Sequence, residues 1–206
     1  MSKISVMGVG FIGGNYCCLY PDETYPEPRE ALIPSNQDVL FTRSTISNYN
    51  VLKPETLKLD VQTNLNHLLD VLPNVRGTFN HISSFFVYGR APGRVCNWSA
   101  PAQWFNEHDE CWPTGFYSIC KRASEQLLQS YCATVQAGLV KGPSSYRILR
   151  LCNVMGNDPK AGKQKNALEF LLKKVVSGED VVIYEGDNYR NHMHVNDACK
   201  AIHLVL

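Results

Sequence analysis

The sequence predicts an α/β fold in which helices cover both faces of a parallel β-sheet. Short apolar runs, typical of buried strands, alternate along the chain with segments whose apolar residues recur at helical spacing. The first apolar run also leads directly into a glycine-rich turn. Alternation of this kind produces parallel strands joined by helices. The 206 residues are enough for one such domain.

Each element is predicted from its own pattern. The predicted strands are 4–7, a short strand within 23–30, 38–44, 79–86, 146–154 and 181–184. The predicted helices are 11–19, 59–72, 116–133, 166–177 and 197–206, the last with Asn196 as its cap. Four prolines between positions 21 and 37 exclude a full helix there and shorten the second strand. The irregular stretch 90–115 is long for a compact domain, and such loops are usually functional.

Composition and charge exclude several classes of function. The net charge of +1 offers no strong field for nucleic acid or a membrane surface, and no apolar run approaches the ~20 residues of a membrane span. Eight cysteines without a Cys-x-x-Cys pair indicate free thiols in a reducing compartment. A strand-like run follows the N-terminus directly, so we expect no signal peptide and predict a cytoplasmic protein. His192 and His194 lack a third ligand, so no metal is expected.

The glycine turn after the first strand has the pattern of a dinucleotide-binding loop. It reads Gly8-Val9-Gly10-Phe11-Ile12-Gly13 between a strand and a helix, the context in which this spacing has physical meaning. Gly8 permits the turn, Gly10 lets a pyrophosphate approach the backbone, and Gly13 lets the helix pack on the strand. The cofactor would also contact Phe11 and Ile12. Arg29 either accepts the 2′-phosphate of NADP or is a solvated surface arginine, so NAD and NADP both remain open.

Tyr117 and Lys121 form the candidate catalytic pair. They are one turn apart in a predicted helix, so the phenol and the ammonium can share one face. A nearby cation favours the phenolate and makes the phenol usable as an acid or base near neutral pH. The same spacing occurs by chance in many helices, so the interpretation depends on the other motifs.

Those motifs occur in a characteristic order. They are the glycine turn, Ser83-Ser84, Val87-Tyr88-Gly89, Tyr117 with Lys121, 150–154 (Arg-Leu-Cys-Asn-Val) and 189–197 (Tyr-Arg-Asn-His-Met-His-Val-Asn-Asp). This set resembles the extended short-chain dehydrogenase/reductase family, specifically its NAD(P)-dependent nucleotide-sugar epimerase/dehydratase group. The resemblance implies a Rossmann-like fold, here shortened. We expect one NAD(P)-binding domain, 1–206, in which 157–195 form a small C-terminal substrate-binding portion.

The resemblance also implies roles for individual residues. Tyr117 would exchange a proton with a sugar hydroxyl or ketone, while Lys121 would lower the pKa of Tyr117 and bond the nicotinamide ribose. Ser84 would bond the same sugar oxygen. Asn64 matches a catalytic asparagine, although an ordinary helix-face amide is an equal alternative. Thr42 and Ser44 would line the cofactor. The expected substrate contacts are Ser84, Phe85, Asn153, Asn166 and Arg190.

Two phenylalanines narrow the expected reaction. Family dehydratases and decarboxylases carry an acid directly after the serine, but Phe85 and Phe86 stand there, and a phenyl ring cannot move a proton. The resemblance then favours epimerisation of a nucleotide-diphosphate sugar, with keto-sugar reduction second and a catalytically inactive nucleotide-binding relative third. By analogy, the protein would form a homodimer through the Tyr117 helix.

Overall fold

The computed structural model of the chain describes residues 3–45, 53–89, 105–156, 167–182 and 191–206. Its strands are β1 (Ile4–Met7), β2 (Thr24–Pro26), β3 (Val39–Phe41), β4 (Thr78–Ser84), β5 (Ser145–Leu151), β6 (Asn153–Met155) and β7 (His192–His194). Its α-helices are α1 (Phe11–Leu19), α2 (Pro54–Val61), α3 (His67–Val71), α4 (Phe116–Gln136), α5 (Ala167–Val176) and α6 (Val195–Val205). A π-helical turn, Gln62–Asn66, joins α2 to α3.

Five strands form one parallel sheet in the order β2-β1-β3-β4-β5. Met7 pairs with Phe41, and Phe41 pairs with His81. Since all five strands run in one direction, the loops that follow β1, β3 and β4 leave the sheet at the same edge. In open parallel sheets, ligands bind at this carboxyl edge. The predicted Rossmann-like parallel sheet is confirmed.

The core lies on both faces of this sheet. One cluster of buried residues contains Met7, Phe41, Leu68, Phe79 and Leu128, and it joins the sheet to α3 and α4. The second cluster joins it to α1 and α6, and contains Val6, Tyr16, Leu40, Ile82, Val195, Cys199 and Ile202. Neighbouring residues of a strand point to opposite faces, which explains why Val6 and Met7 belong to different clusters. Helices therefore cover both faces, as predicted.

Three element predictions need correction. The predicted strand 146–154 is two strands, because the chain leaves the main sheet at Cys152 and β6 pairs with β7 in a separate parallel sheet. Phe85 and Phe86 begin a 3₁₀ turn, Phe85–Tyr88, instead of extending β4. The predicted helix 59–72 begins earlier, at Pro54, a residue favoured in a first turn.

The C-terminal part also departs from the prediction. Residues 181 and 182 are outside any strand, while 183 and 184 lie outside the described residues. The cap of α6 is His194, whose ring Nδ1 accepts a hydrogen bond from the Asn196 backbone N–H at 3.3 Å. Strand β7 runs directly into α6, which leaves His194 as the last extended residue. No helix in the described ranges is long and apolar enough to cross a membrane.

Candidate active site

The glycine turn between β1 and α1 is closed by contacts that only glycine permits. Gly8 has φ of 111°, and a Cβ there would lie 2.6 Å from the Arg43 backbone nitrogen. A Cβ on Gly13 would lie 2.5 Å from the Gly8 carbonyl oxygen. Gly10 differs, because nothing lies within 4 Å of its Cβ position. Gly10 is also the N-cap of α1, so open space adjoins the free N–H groups of the helix.

Neighbouring side chains hold this turn in place. The hydroxyl of Thr42, which follows β3, donates to the Gly8 carbonyl at 2.6 Å and so supports the glycine turn after β1. Phe11 and Ile12 pack against the core cluster of the α1 face. A ligand at the helix N-terminus would therefore contact the backbone of Phe11 and Ile12 more than their side chains.

Arg43, which the sequence reading did not place in the site, lies against this turn. It is 7% exposed, and its Nη2 donates to the Ala31 carbonyl at 2.5 Å. Its Nη1 is buried without a hydrogen-bond partner among the described residues. Burial lowers the pKa of Arg43, an effect that Glu30 and Glu27 oppose. Arg29, the predicted 2′-phosphate ligand, has a side chain 95% exposed and lies 3.8 Å from Glu30.

Glu27 directly follows β2, where dinucleotide folds place the acid that binds the adenine ribose. Its carboxylate turns inward instead. It accepts a hydrogen bond from the Ser5 hydroxyl at 2.6 Å and another from the Ser35 hydroxyl at 3.2 Å. Glu27 is buried, and it fastens the proline-rich segment to β1. The sequence signal for it was an acid within 23–30, the stretch where the second strand was predicted.

Tyr117 lies in the first turn of α4 and is 9% exposed. Desolvation by burial raises the pKa of Tyr117, hydrogen bonds with Ser44 and Ser84 lower it, and the charge of Asp60 raises it further. The net direction is upward. The catalytic role of the pair stays a prediction, and this net direction opposes the acidification expected from Lys121.

The reason is the direction of the Lys121 side chain. Its Nζ donates to the Ile82 carbonyl of β4 at 2.9 Å. Lys121 is fully buried, and desolvation lowers its pKa to about 7, although Glu125 acts in the opposite direction. A lysine in this state is half neutral near pH 7, and it bonds the sheet backbone.

Four predicted residues do come together at the carboxyl edge. Ser44 follows β3, Ser84 ends β4, and both hydrogen-bond with the Tyr117 hydroxyl. Asn64 is buried in the π-helical turn, where its Oδ1 accepts from the Ser44 hydroxyl at 3.3 Å and its Nδ2 donates to the Asp60 carbonyl at 2.9 Å. Ser84 Oγ also accepts from the Phe86 backbone N–H at 3.3 Å.

The remaining predicted substrate residues are more dispersed. Phe85 packs its ring on Phe86, with centroids 4.3 Å apart. Asn153 begins β6, and its Nδ2 is buried without a hydrogen-bond partner in the described part of the chain. Asn166 and Arg190 lie outside the described residues.

A buried ion network behind Tyr117 and Lys121 anchors α4 to the sheet. The Glu125 carboxylate is held by both nitrogens of the Arg150 fork, at 2.9 and 2.8 Å, and by Arg122 at 2.8 Å. The Ser83 hydroxyl donates to the same carboxylate at 2.6 Å. These bonds lower the pKa of Glu125 despite its burial. Arg150 also donates to the Tyr88 hydroxyl at 2.9 Å, which ties in the turn after β4.

A parallel sheet with an open glycine turn and a tyrosine–serine cluster at one edge defines a dinucleotide-binding oxidoreductase-type fold. The chain belongs to the NAD dependent epimerase/dehydratase family, whose sequence model matches residues 39–206. This match confirms the predicted family, the enzyme class and the dependence on a nicotinamide cofactor.

Solved structures show the same fold. UDP-glucuronic acid 4-epimerase from Bacillus cereus, in complex with UDP-glucuronic acid and NAD, is 18% identical with a TM-score of 0.74, over 98% of this chain and 72% of that one. UDP-glucose 4-epimerase from Thermotoga maritima is 17% identical with a TM-score of 0.72, over 100% and 73%. RMD from Pseudomonas aeruginosa, complexed with NADPH, is 20% identical with a TM-score of 0.71, over 98% and 72%. No curated protein sequence matches the chain.

Proposed function

We propose that this protein is an NAD(P)-dependent epimerase of nucleotide-diphosphate sugars. The observation that carries the proposal is the position of the Tyr117 hydroxyl, which bonds Ser44 and Ser84 at the sheet edge from which the glycine turn also leaves. A cofactor laid across that edge from Gly10 would bring its far end toward the phenol. Residues 157–195 would complete the sugar site within the single domain.

The glycine turn fits the cofactor that the family implies. The space at Gly10 admits a pyrophosphate, and the α1 N-terminus offers N–H donors and a favourable dipole to it. The first turn of α1 contains no acidic residue that would repel an anion. When bound, the nicotinamide supplies the hydride acceptor and donor that epimerisation requires.

The chain's own contribution is the proton and the position of the sugar. Tyr117 exchanges a proton with the sugar oxygen, and Ser84, which bonds the phenol, holds the same oxygen. Because burial raises the pKa of Tyr117, the phenol is protonated in the structure described and stands ready to donate. Asn64 and Ser44 support it through their mutual hydrogen bond.

A keto-sugar reductase is the second candidate, favoured by the protonated state of the phenol. Reduction needs only a proton donor at the developing alkoxide, whereas epimerisation also needs that group to accept a proton. The reductase would oxidise one reduced cofactor for each turnover. The epimerase would return its cofactor unchanged.

Tyr117→Phe tests the proposal directly. We expect this variant to bind NAD in a calorimetric titration but to lose conversion of UDP-glucose and UDP-glucuronic acid, followed by chromatographic separation of the epimers. Tyr131→Phe is the matched control, because Tyr131 is in the same helix and its hydroxyl donates to the Lys141 carbonyl at 2.8 Å, far from the site. Epimer formation that survives Tyr117→Phe would disprove the assigned role of Tyr117.

Gly10→Ala tests the cofactor site separately. A methyl group at Gly10 contacts nothing within 4 Å, so the fold should remain stable while the methyl group fills the space that the pyrophosphate needs. We expect NAD affinity to fall at least tenfold with an unchanged unfolding midpoint. Unchanged NAD affinity would exclude this turn as the pyrophosphate site.

A further inference from the structure

Asp60, in the last turn of α2, is a buried carboxylate that the proposed reaction does not use. Its exposed fraction is 0%. Its Oδ1 accepts a hydrogen bond from the Thr45 hydroxyl. Its Oδ2 is buried and has no hydrogen-bond partner in the described part of the chain. A carboxylate removed from water in this way is unstable unless it finds a positive or donating partner.

Glu125, the buried acid of α4, has hydrogen-bond and ion-pair partners that Asp60 lacks among the described residues. Glu125 is equally buried, yet two arginines and one serine satisfy its oxygens. None of the ion pairs formed by the described residues includes Asp60. The negative charge of Asp60 is therefore left without a compensating cation within these ranges.

Asp60 belongs to the polar cluster around the phenol. Thr45, which bonds its carboxylate, follows Ser44 in the loop after β3. Asn64 bonds the Asp60 carbonyl and the Ser44 hydroxyl, and Ser44 bonds the Tyr117 hydroxyl. The negative charge of Asp60 acts electrostatically on the phenol and raises the pKa of Tyr117.

In the reaction proposed above, the nicotinamide ring must lie close to that phenol. The hydride leaves a carbon of the sugar while the proton leaves the oxygen bonded to it, so the groups that accept them meet around a single C–O bond. The oxidised ring carries one positive charge and the reduced ring carries none. A buried anion next to this position distinguishes the two redox states by their charge.

We propose that Asp60 supplies the negative charge by which this site binds the oxidised, cationic nicotinamide more tightly than the reduced, neutral one. The inference rests on the proposed function, since it requires the ring to reach Tyr117. A site with this preference retains its cofactor in the oxidised form between turnovers. That is the form from which an epimerase starts and to which it returns.

The other titratable groups near the phenol do not cancel this charge under mildly alkaline conditions. Burial lowers the pKa of Lys121 to about 7, so its amine is mostly neutral above that value. Desolvation, with the charge of Lys121, holds the pKa of His81 well below its ordinary value, so that ring is neutral as well. Burial and Asp60 both raise the pKa of Cys120, which keeps this thiol protonated.

The test compares dissociation constants for NAD⁺ and NADH at about pH 8, where Lys121 is mostly neutral. The wild type should bind NAD⁺ more tightly, and Asp60→Asn, which keeps the side-chain shape, should reduce this preference about tenfold or more. Asp60→Ala is a second neutral variant, in which water can fill the space left by the side chain, and it should give the same result. Asp70→Asn, at an exposed position of α3, is the matched control and should leave the ratio unchanged.

Each outcome of this experiment decides a separate question. If the wild type binds neither NAD⁺ nor NADH, nor their 2′-phosphorylated forms, the proposed function fails before the charge is tested. If it binds both forms and neither neutral variant changes the ratio, the proposed function stands and the role of Asp60 is overturned. A parallel loss of affinity for both forms would likewise overturn it, because that result indicates a structural role.

Discussion

Because Lys121 is buried, we expect the free energy of unfolding to depend on pH by a predictable amount. Its side chain is fully buried, and desolvation lowers its pKa from the ordinary 10.5 to about 7. Between these two values the unfolded chain binds a proton at this lysine that the folded chain does not bind. At low pH, folding must either deprotonate the ammonium or bury it, and this lowers the free energy of unfolding by its full amount. The loss disappears as the pH rises toward 10.5.

Lys121→Met removes this effect while retaining most of the side-chain volume. One pKa unit corresponds to about 1.4 kcal/mol, so the difference in unfolding free energy between wild type and variant should change by on the order of 5 kcal/mol across the window. The wild type gains stability relative to the variant as the pH increases from about 7 to about 10.5. Loss of the hydrogen bond to the Ile82 carbonyl adds an offset that does not depend on pH.

Urea unfolding followed by circular dichroism, with a reductant to protect the thiols, measures this difference at several pH values. Lys200→Met is the matched control, because Lys200 is largely exposed in α6, 3.7 Å from Asp197, and its removal should give a flat difference. Parallel stability curves for wild type and Lys121→Met from about pH 7 to about pH 9.5 would refute the reasoning. They would mean that Lys121 keeps its charge in the folded protein.

Two further predictions concern the framework of the site, and both are measured by urea unfolding. Glu125→Gln should destabilise the protein by about 3–5 kcal/mol, because it leaves two arginines facing a neutral amide. The control, Glu179→Gln, should cost less than about 1 kcal/mol, because the ion pair of Glu179 with Lys174 is at the surface. Equal losses of stability in the two variants would contradict the assigned network. Leu68→Ala should cost about 2–5 kcal/mol by opening a cavity beneath the sheet, while the neighbouring Leu69→Ala, at an exposed position, should change stability much less.

The glycine turn and the Tyr117 helix illustrate what could be predicted. The turn was predictable because its requirements are local: a strand, three glycines and a helix follow one another within ten residues. The helix that carries Tyr117 was predicted as 116–133, and in the structure it is Phe116–Gln136. The exposure of Arg29 and the burial of Arg43 could not be predicted, because both depend on how the proline-rich segment packs beside β3.

Tyr117 and Lys121 show what helical spacing cannot predict. Helical spacing placed both residues on one face, which was correct, since both are buried in α4. Spacing does not determine which group a long side chain reaches. The Ile82 carbonyl, 39 positions away in the chain, accepts a hydrogen bond from Lys121 Nζ. The charge that acts on the phenol is instead that of Asp60 in α2.

Periodicity and glycine placement in the sequence were sufficient to predict the alternation of strands and helices, the glycine turn and the helix that carries Tyr117, because these depend on residues close together in the chain. The tertiary structure alone decided the protonation of Tyr117 and Lys121, the inward turn of Glu27, and the pairing of β6 with β7. The physical reason is that desolvation and charge depend on neighbours brought together from distant segments. A pKa is a property of that assembled environment, and no local pattern of residues contains it.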